Sequence, residues 1–226
     1  NSALFLGGLT PSIGTLEAVK AQVKLPVMCM VRPREGGFCY TDFDYDAICR
    51  DALALIRAGA DGIVFGFLKP DGTVDEARCA DFLGRIRAEK PEIETVFHRA
   101  IDVVPDVFAA LDTLIALGVT RVLTSGQRAS APAGAETIRQ MRAHAAGRID
   151  ILPGGGINAG NVRGFIEETG VSSVHASARS LRHDTSVRGN PEIFFGGKID
   201  GKGVPEDEYK VTDSALVGAV VRAIEG

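Results

Sequence analysis

The chain repeats one pattern. A short, nearly continuous apolar run is followed by a polar or glycine-rich loop and then by a segment with helical spacing. The runs Leu25–Arg32, Gly62–Phe65, Glu94–His98, Arg121–Thr124, Ile149–Leu152 and Val174–Ala176 predict six strands. Helices are predicted over Leu16–Val23, capped by Thr15, and over Asp44–Ala58, Val74–Ala88, Pro105–Leu117, Glu136–Ala145 and Asn158–Thr169. A last helix, Ser214–Ile224, is capped by Thr212 or Asp213. Strands that are apolar at successive positions are buried on both faces, which implies a parallel sheet covered by helices.

Three junctions echo one another. Ala58-Gly59-Ala60-Asp61, Leu117-Gly118-Val119-Thr120 and Thr169-Gly170-Val171-Ser172 each place a glycine just past a helix and just before a strand. Their nearly regular spacing favours an α/β fold of the TIM-type (β/α)8 barrel kind over an open doubly wound sheet. Six strands do not close such a barrel, so the first one or two strands are expected upstream of Asn1, which lies almost inside a loop. The whole of 1–226 reads as one domain, with 181–212 an irregular lid or subunit arm.

Composition narrows the function classes. At 226 residues and 45% hydrophobic content the chain can bury a substantial core, and its net charge of −4 argues against a nucleic-acid or membrane-surface binder. No apolar run approaches membrane-spanning length and no signal peptide opens the chain, so a cytoplasmic protein is expected. Cys29, Cys39, Cys49 and Cys79 show no metal-ligand or disulfide spacing and read as reduced thiols. Met28-Cys29-Met30 offers sulfur to Cu(I), but successive strand residues point to opposite faces, so core packing is the better reading.

In a barrel the chemistry sits at the C-terminal ends of the strands. Arg32, Arg34, His98, Arg99, Asp102, Thr124, Ser125, Gly154, Gly155, Gly156, His175, Ser177 and Arg179 fall there. Within an acidic chain this set is cationic and polar. It suits a small phosphorylated or carboxylated ligand, held by the arginines Arg32, Arg34, Arg99 and Arg179, by the hydroxyls of Thr124, Ser125 and Ser177, and by backbone N–H groups of the triple glycine. His98 and His175 are candidate general acids or bases, with Asp102 orienting a histidine or acting as the base. His144 and His183 read as surface residues. Two other readings remain open: copper handling, which needs thiols that meet in space, and a non-catalytic scaffold, which needs polar groups that satisfy one another.

The blocks Gly7–Ser12, Val31–Arg34, Ala60–Gly66, Phe97–Ala100, Arg121–Gly126, Pro153–Ile157, His175–Ser180 and Lys210–Asp213, in this order, resemble the copper homeostasis family CutC. The resemblance implies a cytoplasmic TIM-type barrel that forms a homo-oligomer, dimer or tetramer, and is linked to copper binding and copper homeostasis. It makes Cu(I) a possible ligand, although the chain itself offers no ligand cluster. The cysteines proposed as copper ligands in some family members lie on the strands expected upstream of Asn1.

Overall fold

The computed structural model describes residues 1–190, 192–193 and 206–226. Five strands, β1 (Met28–Met30), β2 (Gly62–Phe65), β3 (Glu94–Phe97), β4 (Arg121–Thr124) and β5 (Asp150–Pro153), form a parallel sheet in the order β1-β2-β3-β4-β5. Each strand lies beside the next one in sequence. A doubly wound sheet would reverse direction at a switch point. This order is that of a TIM-type barrel, and a parallel bridge from Gly154 to His175 continues it one position further. The expected strand Val174–Ala176 is reduced to that bridge.

The helices α1 (Ile13–Lys20), α2 (Asp42–Arg57), α3 (Glu76–Glu89), α4 (Val107–Ala116), α5 (Ala135–Ala145) and α6 (Val162–Thr169) alternate with the strands. Their starts follow local capping chemistry. Ser12, not Thr15, caps α1, because its Oγ accepts the Thr15 N–H. Thr41 opens α2 through a reciprocal capping box with Asp44. Asp106 caps α4 one residue past Pro105, accepting the N–H groups of Phe108 and Ala109. At the other edge, α7 (Ser214–Glu225) starts on Asp213.

The core lies between the sheet and these helices. Phe65 on β2 meets Phe82 of α3 at 4.9 Å and Phe97 of β3 at 5.7 Å between ring centroids, and all three are fully buried. β3 and β4 are locked in register by a reciprocal pair: the Thr95 N–H donates to Thr120 Oγ1, while the Thr120 N–H donates to Thr95 Oγ1. No described helix is long and apolar enough to cross a membrane.

Two expectations are corrected. The strand expected from Leu25 to Arg32 spans only Met28–Met30; Leu25 is exposed, so an apolar residue before Pro26 extends no strand. The segment 181–212 is not irregular throughout. β6 (Arg179–His183) and β7 (Glu208–Thr212) pair antiparallel as a two-stranded sheet, pairing Arg179 with Thr212 and His183 with Glu208. Its lack of apolar periodicity has a simple cause: both strands are largely solvated, so no core selected their residues. The rest of the expected arm falls partly on 191 and 194–205, outside the described residues.

Replacing Thr95 by the isosteric valine removes one acceptor and leaves the Thr120 N–H short of a partner in the sheet. The expected cost is about 1–3 kcal/mol in a urea denaturation curve. Stability unchanged from wild type would show that the pair does not hold the β3–β4 register.

Candidate functional site

Because the strands are parallel, the loops after β1, β3, β4 and β5 all leave from one end of the sheet, and the polar residues singled out above gather there. They do not form one cluster. They divide into two, joined at the end of β3, where His98 and Arg99 are consecutive.

The first cluster is open. Arg99 begins a 3-10 turn, Arg99–Val103, that brings Asp102 back beneath its side chain. Arg99 Nε donates to Asp102 at 2.7 Å and its NH2 to Ser125 Oγ at 2.6 Å, so the guanidinium is held from two sides while staying about half exposed. Its remaining nitrogen, NH1, lies against Gly155; a Cβ on that glycine would stand 3.7 Å from it. Gly155 and Gly156 adopt φ of 97° and 83°, backbone that glycine takes up readily, and neither N–H has a hydrogen-bond partner among the described residues. Their carbonyls point elsewhere, Gly155 to the Ala131 N–H and Gly156 to the side chains of Asn158 and Asn161. The following helix starts only at Val162, so individual N–H groups rather than a helix terminus face the open side.

His175 follows on the bridge to Gly154, its N–H on the Pro153 carbonyl. Although the residue keeps an exposed surface, the protein packed around its imidazole, and then the Arg179 charge, hold it below the ordinary histidine range, so it is neutral near pH 7. Ser177 and Arg179 lie beyond it on exposed chain, and neither side chain makes a hydrogen bond among the described residues.

Other expected ligands are occupied internally. The Asp102 carboxylate accepts from Arg99 Nε, Thr124 Oγ1, Ser125 N and Oγ, and the Gln127 N–H. Thr124 is fully buried on that carboxylate, and Ser125 is buried with its hydroxyl between Asp102, Arg99 and the Arg128 carbonyl. Asp102 and Ser125 position Arg99, and Thr124 fixes Asp102. Arg34 is likewise engaged, with Asp44 and the carbonyls of Glu35, Gly37 and Cys39, and it stacks on Tyr40.

The second cluster is closed. His98 and Arg32 are buried together, with Phe38 against both: its ring centroid lies 4.7 Å from that of His98 and 5.4 Å from the Arg32 guanidinium carbon. Gly66, just past β2, makes room for the imidazole, since a Cβ there would come 2.4 Å from the ring. His98 Nδ1 accepts the Ala100 N–H. Burial, and then the Arg32 charge, push the His98 pKa down to about 3. Tyr40 joins this cluster although sequence reasoning assigned it no role; its place in a long polar-aromatic loop carries no periodic signal.

Buried neutral, His98 binds its proton only near pH 3, whereas the unfolded chain binds it near 6.5. Between those values the unfolded state holds more protons, so stability falls as pH drops through this window, by up to about 1.4 kcal/mol per pH unit. The urea midpoint is therefore expected to fall between about pH 6.5 and about pH 4.5, and to fall less in His98→Gln. Equal slopes for the two proteins would show that His98 is solvated.

Comparison with known proteins follows the same outline. The CutC family profile matches residues 1–180. A CutC family protein of Treponema denticola is 49% identical over 224 residues, covering 99% of this chain and 88% of that one. The human copper homeostasis protein cutC homolog is 40% identical over 216 residues, covering 96% and 77%. The crystal structure of CutC from Streptococcus agalactiae superposes with a TM-score of 0.70 at 30% identity, covering 76% of this chain and 84% of that one.

Proposed function

The chain belongs to the CutC family, and on that footing we propose that it acts within copper homeostasis through a small phosphorylated or carboxylated metabolite bound at the barrel mouth. The observation that carries this reading is the Arg99 guanidinium, braced by Asp102 and Ser125 with its free nitrogen beside two unpartnered glycine N–H groups. Guanidinium and convergent backbone N–H groups form a pre-organised oxyanion cradle. His175, neutral and one strand position away, is the group placed to accept a proton from a ligand held there.

The relatives' names bring copper into view, and among the described residues the donors do not gather around a copper ion. Cu(I) favours thiolate ligands. Cys29, Cys49 and Cys79 are buried, and burial raises each thiol, that of Cys79 to about 12. Among the described residues no group of three or more His, Cys, Asp or Glu is placed to hold an ion. A pure scaffold fits no better, since it would leave its polar groups mutually satisfied, and among the described residues the N–H groups of Gly155 and Gly156 have no hydrogen-bond partner.

Titration calorimetry of the reduced protein with inorganic phosphate and with a panel of phosphorylated and carboxylated metabolites tests the reading. Saturable binding is expected, weakened about ten- to a hundredfold in Arg99→Ala. Tight stoichiometric uptake of Cu(I) against a chelator, unchanged in Arg99→Ala and without any anion binding, would transfer the function to the thiols.

A further inference from the structure

The loop after β4 runs beside both the Arg99 turn and the glycine turn, and it is tied down at several points. Its two ends cross in contact: a Cβ on Gly126 would stand 2.4 Å from the Gly134 carbonyl oxygen, and one on Gly134 would stand 2.1 Å from that of Ser125. Between them Gln127 takes a left-handed φ of 58°, with its N–H on the Asp102 carboxylate and its side-chain amide on the Val104 carbonyl. Further along, the Ala131 N–H reaches the Gly155 carbonyl at 2.7 Å. A loop whose ends meet and whose middle is fastened to both neighbours is a compact platform. β4 has a described strand on either side, so this platform stands away from the open edges of the sheet.

Arg128 lies on that platform. Its carbonyl is 2.5 Å from the Ser125 hydroxyl, the same oxygen that accepts from Arg99 NH2 at 2.6 Å. The backbone of one arginine and the guanidinium of the other therefore touch a single atom. The Arg128 side chain is exposed and makes no hydrogen bond or ion pair among the described residues. With its backbone already held, such a guanidinium loses only side-chain freedom when it closes on an anion beside it.

Charge decides what it closes on. Arg99 and Asp102 form an ion pair, so the cradle that Arg99 makes with Gly155 and Gly156 offers directed N–H groups and little net charge. That suits a carboxylate, with one charge over two oxygens. A phosphate monoester carries close to two negative charges at neutral pH and presents three acceptor oxygens. It calls for a further cation that has no acid of its own, and Arg128 is such a cation at the edge of the cradle. Resting on the reading of the cradle given above, we propose that Arg128 is a ligand-binding residue that selects a phosphate monoester over a carboxylate, closing on the phosphoryl oxygen that Arg99 and the glycine N–H groups leave uncovered.

The test follows the Gly155 and Gly156 amide signals in the assigned ¹H–¹⁵N spectrum of the protein during titration with inorganic phosphate, and separately with sodium acetate, at pH 8 and fixed ionic strength. Arg128→Ala removes no side-chain contact of the folded chain, so its urea midpoint is expected to match that of wild type. Phosphate is expected to bind about tenfold more weakly in Arg128→Ala, with part of the loss restored in Arg128→Lys, while acetate binding stays unchanged. Phosphate affinity that is equal in wild type and Arg128→Ala, yet lost in Arg99→Ala, would overturn the role of Arg128 and leave the cradle standing. Phosphate and acetate weakened alike in Arg128→Ala would reveal a general effect of surface charge and overturn the selectivity. If neither anion moves the two glycine signals in wild type, the cradle reading fails and this inference fails with it.

Discussion

Asp102 is the contact on which the rim of this barrel depends. One carboxylate, almost wholly buried, gathers Arg99, Thr124, Ser125 and the Gln127 N–H, and so ties the loop after β3 to the loop after β4. A carboxylate that accepts several N–H and O–H bonds is held in one orientation. What Asp102 holds still is Arg99, and the exposed part of the site is the part of Arg99 that Asp102 and Ser125 do not use. A residue that the sequence offered as a base or as the orienter of a histidine thus becomes the brace of an arginine.

The two arginines at the mouth show how burial divides one residue type into two roles. Arg99 has an acidic partner and remains half exposed, so an incoming anion competes with water and with Asp102 for it. Arg32 has carbonyl partners and, among the described residues, no acid, and solvent barely reaches it. The first stays open to solvent; the second is part of the packed interior.

Much of this was legible in the residues. The order of strands and helices followed from apolar runs and glycine junctions because both report local geometry, strand burial on two faces and a left-handed residue at a helix end. The glycine turn was readable for the same reason, since Gly155 and Gly156 adopt the positive φ that their lack of a Cβ allows. The β6–β7 pair was not, because solvated strands carry no apolar period. Tyr40 was passed over because its ring packs on Phe67, far along the chain, and on the Arg34 guanidinium.

The sequence by itself determined the family, the barrel architecture and the inventory of groups at its mouth, because each depends on residues near one another along the chain or on a pattern repeated along it. Only the tertiary structure decided which of those groups are free. Whether an arginine meets a carboxylate, a carbonyl or nothing depends on contacts such as Arg32 with Leu6 and Gly8, or Arg99 with Ser125, between residues separated by more than twenty positions. No local spacing encodes such pairings; they are set by how the strands align and how closely their loops pack.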